Sequence, residues 1–170
     1  MREAIEMVMS SKNKFLTPSQ AWDRIRKYCG YQERSHEEVR YKLVEVGIRG
    51  NDLENIMTRL IEEGFLNEER YAIAYAGGKF RMQHWGRNKI QAALKQKGVS
   101  DYCIRKGLAQ IDDSDYRKSL LNLLKKKAAS VKNQNVPSQK QKLVTFLVGK
   151  GYEPHLVWEI VNEYYDANRS

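Results

Sequence analysis

The stretch Leu43-Val44-Glu45-Val46-Gly47-Ile48 carries the pattern Leu-x-x-x-Gly-apolar. The pattern returns twice at a spacing of about fifty residues, as Leu94 to Gly98-Val99 and as Leu147 to Gly151-Tyr152. Each glycine falls where a helix would end on a left-handed residue, a backbone state that glycine enters without a Cβ penalty. Counted from these glycines, Val39, Ile90 and Leu143 stand eight residues upstream, and Leu53, Ile104 and Val157 six downstream. Met57, Leu108 and Val161 follow at ten, and Leu60, Ile111 and Tyr164 at thirteen. Apolar residues at these intervals line one side of a helix, so each copy reads as helix, tight turn, helix. A recurrence of this length marks a repeat architecture.

A further helix precedes each pair. Thr17-Pro18-Ser19-Gln20 reads as N-cap, first-turn proline and capping-box glutamine, and Ser35-His36-Glu37-Glu38 is a second capping box. Asn67-Glu68-Glu69 opens an apolar series at Tyr71, Ala74 and Tyr75, while Ser114 and Asp115 precede Tyr116, Leu120, Leu124 and Ala128. Helix formers dominate, prolines occur only at 18, 137 and 154, and no stretch alternates apolar with polar residues as a half-buried strand does. The expectation is an all-α fold of three tandem three-helix repeats, residues 17–66, 67–112 and 113–168. They would form an elongated array whose curvature the sequence leaves open, with a separate local core in each repeat. Residues 1–16 stand open between an N-terminal tail and an extra helix. The polar, proline-containing stretch Lys132 to Ser138 reads as a loop or linker.

The chain carries 30 Lys and Arg against 21 Asp and Glu, a net +9. Residues 17–66 are net −1, whereas 67–112 are net +5 and 113–170 net +4, so attraction to a polyanion is expected of the later repeats. Cys29 and Cys103 have no metal-ligand or redox spacing and read as reduced thiols. Met1 to Met9 is too short and too acidic for a signal peptide, and no apolar window is long enough to span a membrane; a cytoplasmic monomer is expected.

His36, His84 and His155 are scattered, so no metal or cofactor is expected. Gly77-Gly78-Lys79-Phe80 and Gly149-Lys150-Gly151 lack Walker spacing and a preceding strand, and read as helix-packing or C-cap glycines. Adjacent acids at 37 and 38, 62 and 63, 68 and 69, and 112 and 113 lie at caps and helix ends without a nucleophile to complete a catalytic set. The chain is expected not to be an enzyme.

The residues also resemble a known family. Arg34-Ser35-His36-Glu37-Glu38-Val39-Arg40-Tyr41-Lys42-Leu43 and Leu60-Ile61-Glu62-Glu63-Gly64-Phe65-Leu66-Asn67-Glu68-Glu69-Arg70-Tyr71-Ala72 are similar to segments of the RecX family. So are Trp85-Gly86-Arg87-Asn88-Lys89-Ile90, Leu94 to Ser100, and Phe146 to Tyr152. The resemblance covers about residues 20–165. It departs at His84-Trp85-Gly86-Arg87, where the family commonly has Gly-x-Gly-Pro. The resemblance implies tandem three-helix repeats and a regulatory protein in DNA repair, recombination and the SOS response. Such a protein binds RecA and RecA-DNA filaments and modulates, mostly inhibits, the ATPase, recombinase and coprotease activities of RecA. Single- or double-stranded DNA is a further implied partner.

Candidate contact residues for filament or DNA are the basic ones of the later repeats: Lys79, Arg81, Arg87, Lys89, Lys95 and Lys97, with Trp85 among them, and Lys125, Lys126 and Lys127. Lys89 and Lys97 are eight apart and share a helix face. Against this stands a solvated helix surface, and for the lysine run near a helix end a favourable interaction with the helix dipole. Tyr71, Tyr75, Phe80, Trp158, Tyr164 and Tyr165 fall at helical spacing and are expected to pack in cores, as is Trp22. Two rival classes remain. Three short helices with a tight turn also suit a helix-turn-helix regulator reading duplex DNA, for which Arg87, Asn88 and Gln91 are the one reader-like cluster. A helical adaptor for another protein would carry its charge only for solubility.

Overall fold

The structure, a computed structural model, describes residues 15–132 and 135–168. Among these are nine helices and no strand. They are α1 (Pro18–Tyr31), α2 (His36–Glu45), α3 (Gly50–Glu62), α4 (Glu68–Gln83), α5 (Arg87–Gln96), α6 (Asp101–Ala109), α7 (Asp113–Ala128), α8 (Val136–Gly149) and α9 (Pro154–Ala167). The chain divides into two compact units between Glu68 and Glu69.

The three repeat glycines end their helices in the same way. Gly47, Gly98 and Gly151 have φ of +88°, +69° and +97°. The next amide turns back to the repeat leucine in each copy: Ile48 N–H to Leu43 C=O, Val99 to Leu94 and Tyr152 to Leu147, at 3.0, 3.2 and 3.3 Å. This is the Schellman arrangement, which satisfies two of the carbonyls a helix end leaves open and folds the following apolar side chain onto the helix just ended. Val39, Leu43, Ile90, Leu94, Leu143 and Leu147 are accordingly fully buried.

The first unit holds α1 to α3 around Trp22, Ile25, Val39, Leu43, Met57 and Leu60. Both capping boxes are present. The Thr17 and Ser35 hydroxyls accept from the Gln20 and Glu38 amides, and those side chains accept in return from the Thr17 and Ser35 amides. Phe15 and Leu16 join this unit, Leu16 N–H donating to Val46 C=O at 3.0 Å with the Phe15 ring lying over Gly47. The rest of the N-terminal segment, residues 1–14, lies outside the described residues.

The second unit holds α4 to α9, and here the expectation of separate local cores is corrected. Residues from Tyr71 on α4 to Val161 on α9 form one continuous core. Its centre is aromatic: Tyr116 of α7 is fully buried, 4.9 Å from Tyr152 and 5.8 Å from Phe80 between ring centroids. Two small repeats that would each bury little alone thereby share one interior.

The junction also satisfies the start of α5. Gly86 supplies no side-chain cap. Instead Gly86 N–H donates to Lys150 C=O (2.9 Å), Asn88 N–H to Gly151 C=O (3.0 Å) and Arg87 N–H to the Tyr116 hydroxyl (2.8 Å). The open amides of one helix start thus meet the open carbonyls of another helix end. Two local expectations are revised as well. Asp112, not Ser114, caps α7, its carboxylate accepting from Asp115 N–H. The stretch read as a loop from 132 to 138 already belongs to α8 from Val136, capped by Asn135 with Pro137 in the first turn.

Candidate functional site

All of the basic candidates lie in the second unit, and the structure sorts them into different settings. Lys79, Lys89 and Lys97 come together around two aromatic rings. The Lys79 ammonium lies 4.9 Å from the centre of the Trp85 ring and 5.4 Å from that of Tyr75. Lys89 approaches Trp85 to 4.6 Å and Lys97 approaches Tyr75 to 5.8 Å. Tyr75 and Lys79 are one turn apart on α4, Trp85 sits in the α4–α5 turn, Lys89 lies in the first turn of α5 and Lys97 is the residue that caps its end. Each contact is a cation–π attraction. Together they hold three ammonium groups on one face instead of leaving them to scatter in solvent.

Arg87 has a different place. Its guanidinium pairs with Asp113 at 2.6 Å, donates to Ile111 C=O at 3.1 Å and lies 4.1 Å over the Tyr116 ring. It ties α5 to the start of α7 at the edge of the shared core. Lys95 pairs with Asp101 at 3.4 Å across the α5–α6 turn, where both groups are well exposed and the pair contributes little.

Arg81 and Lys126 line a shallow cavity of about 300 Å³ between α4 and α7 with His84, Lys118, Ser119 and the Phe80 ring. His84 closes α4 with φ +54°, the one described residue other than glycine in the left-handed region. Its Nδ1 is 3.5 Å from Ser119 Oγ, which is 3.1 Å from the Tyr152 hydroxyl. Lys125 borders a groove between α7 and α9 floored by Leu121, Ile160 and Tyr164. Lys127 points away from both and lies 5.2 Å from the Phe146 ring centre. The lysine run of α7 is therefore fanned over separate surfaces.

Sequence reasoning assigned Tyr75 to the core, whereas it is only partly buried and turns toward two lysines; its spacing of four from Lys79 was the available signal. Trp158, also expected inside, is 40% exposed. Tyr71 and Trp22 are buried as expected. Arg34 and Arg59 act inside the first unit, lying over the Tyr28 and Trp22 rings at 3.9 and 3.8 Å. No helix among the described residues is long and apolar enough to cross a membrane, and no three metal-ligating side chains gather there.

Fold and site together define an all-α protein of tandem three-helix repeats with a lysine-rich, aromatic-lined face on its second unit. Residues 67–108 match the second three-helix domain of RecX and residues 115–161 the third, together more than half of the chain. This chain belongs to the RecX family.

Among relatives, the regulatory protein RecX of Clostridium perfringens strain 13 is 36% identical over 122 residues, covering 71% of this chain and 57% of that protein. The regulatory protein RecX of Amycolatopsis mediterranei is 23% identical over 152 residues, 87% of each chain. The chain thus spans little more than half the length of the Clostridium relative. The crystal structure of RecX from Lactobacillus salivarius superposes with a TM-score of 0.80 at 23% identity, covering 86% of this chain and 95% of that one. A second crystal structure of a regulatory protein RecX gives 0.77 at 22% identity. At those identities the likeness is one of fold.

Proposed function

We propose that this chain is a regulatory protein that binds RecA and RecA-DNA filaments and holds down the ATPase, recombinase and coprotease activities of RecA in DNA repair, recombination and the SOS response. The observation that carries the reading is membership of the RecX family, whose relatives bear the name regulatory protein. The partner follows from that membership, and the surface from the charge. In this reading the protein is a cytoplasmic monomer that works by contact and not by chemistry. Its repeats run over residues 17–66, 67–112 and 113–168.

The face built by Lys79, Lys89 and Lys97 is the proposed contact surface, and Arg81 and Lys126, which line the separate cavity between α4 and α7, are further candidates. A filament offers phosphates and acidic side chains, and an array of fixed ammonium groups is drawn to both. Arg87 serves the fold more than the contact, since its guanidinium is already held by Asp113 and Ile111 C=O at the edge of the shared core.

The test is the DNA-dependent ATPase rate of a bacterial RecA as this protein is titrated in at low and moderate salt. The reading expects a dose-dependent fall at well under one copy per RecA subunit, stronger at low salt. No effect at excess would turn the reading toward a helical adaptor or a duplex-DNA regulator.

A further inference from the structure

We propose that the cavity between α4 and α7 binds a small molecule ending in a phosphate monoester, through Arg81, His84 and Lys126. The inference goes beyond the regulatory reading and does not rest on it. At about 300 Å³ the cavity has the size of a site for one small ligand. Arg81 and His84 enter it from the end of α4, Lys118, Asn122 and Lys126 from α7, and the Phe80 ring forms part of its wall. Three cations thus share the space with a single carboxylate, Asp115, which lies 3.6 Å from Lys118. Arg81 and Lys126 have no carboxylate partner among the described residues.

His84 is the second, independent observation. With φ +54° it holds a backbone state that strains a side chain and would cost glycine nothing. Strain of this kind gathers at binding sites. The ring is placed by contacts that lead out of the core: the buried Tyr152 hydroxyl lies 3.1 Å from Ser119 Oγ, which lies 3.5 Å from His84 Nδ1. When each hydroxyl donates outward, Tyr152 to Ser119 and Ser119 to Nδ1, the neutral imidazole carries its proton on Nε2. That N–H has no partner among the described residues and is a donor for a ligand.

The ligand class follows from charge and donor count. A phosphate monoester is close to doubly charged at neutral pH, with three oxygens free to accept. Arg81 and Lys126 match the two charges, and guanidinium, ammonium and imidazole N–H together serve the three oxygens. A carboxylate has one charge and two oxygens. So has the phosphodiester of a nucleic-acid strand, which would leave one cation unmatched. The esterified body then lies against Phe80, which suits a ring or another apolar group.

The test titrates phenyl phosphate into the full chain by calorimetry at about pH 7.5, where the monoester is a dianion. Inorganic phosphate supplies the charge without the body, and methyl phenyl phosphate the body with a single charge. Phenyl phosphate should bind saturably, one to one, and at least about tenfold more tightly than the diester. Arg81→Ala with Lys126→Ala should weaken it by at least about tenfold, and His84→Gly by about tenfold although the backbone there is relieved of strain. Lys106→Ala on α6 removes one positive charge outside the cavity and should leave the affinity within about twofold, because distant exposed charges are screened.

No saturable binding of phenyl phosphate, equal affinity for the diester, or a loss in Lys106→Ala as large as in His84→Gly would overturn the proposal. Inorganic phosphate binding as tightly as phenyl phosphate would overturn the assignment of an organic ester. RecA takes no part in these measurements, so their outcome and that of the ATPase titration are read separately.

Discussion

Gly86 and Gly151, one at the start of α5 and the other at the end of α8, are packed backbone against backbone: a Cβ on Gly86 would overlap the carbonyl of Gly151, and a Cβ on Gly151 would overlap the backbone of Lys89. The contact brings the α5 amides within reach of the Lys150 and Gly151 carbonyls. It turns two repeats into one folding unit.

Gly86→Ala should destabilise the second unit by about 2–3 kcal/mol in urea unfolding, because the neighbouring backbone must move to admit a methyl group. Gly151→Ala should cost more, since its φ of +97° adds the strain of a side chain in the left-handed region. Gly149→Ala is the control. Its Cβ would meet nothing, and the replacement of a helical glycine should stabilise by about 0.5–1 kcal/mol.

Tyr116→Phe removes one hydroxyl that accepts from Arg87 N–H at 2.8 Å and donates to Glu153 Oε2 at 2.7 Å. A loss of about 1–3 kcal/mol is expected, as both partners are left part-buried without their bond. Hydrogen exchange should show the amides at the start of α5 losing protection, although the substitution lies on α7.

His84→Gly should stabilise the second unit by about 0.5–1 kcal/mol, because φ +54° costs a histidine what it does not cost a glycine. Thermal unfolding reads the gain. A loss instead would mean that the contact of the ring with Ser119 outweighs the backbone strain.

Burial in the first unit pushes the Cys29 thiol up to about 11, with Arg34 pulling weakly the other way. From about pH 9 to about pH 11 the unfolded chain has lost a proton that the native chain keeps. The Cys29 contribution to stability is therefore full below that window and is lost as pH rises through it. Urea unfolding across this range should show the decline, and Cys29→Ala should shrink it. Iodoacetamide at pH 8 should label Cys29 slowly until urea is added.

The repeat was legible because its signals are local. Leu43, Gly47 and Ile48 lie within one turn and a half of chain, and the Schellman bonds they make depend on nothing farther away. The boxes at Thr17 and Ser35 could be read for the same reason. Asn135 with Pro137 offered the same kind of signal as Thr17 with Pro18, but it was masked by the polarity of the residues around it.

What escaped was set by distance along the chain. Arg87 pairs with Asp113 twenty-six residues on, and Tyr116 meets Glu153 after thirty-seven, so no spacing rule could separate Arg87 from the lysines near it. The merging of two cores rests on Tyr116 and Tyr152, which look like ordinary stripe residues until α7 and the end of α8 are brought together. At His84 the departure from the glycine common in the family is accommodated by a histidine held in the left-handed conformation.

Under the proposed function, Lys79, Lys89 and Lys97 are the surface through which the chain would act on RecA filaments. The most direct measurement compares the parent chain with the triple change Lys79→Glu, Lys89→Glu and Lys97→Glu in the DNA-dependent ATPase assay of RecA, with matched helicity and thermal unfolding. The account predicts inhibition by the parent at well under one copy per RecA subunit and a requirement for at least about tenfold more of the variant, as expected when several charge contacts are reversed. Superimposable inhibition curves from the two folded proteins would contradict it.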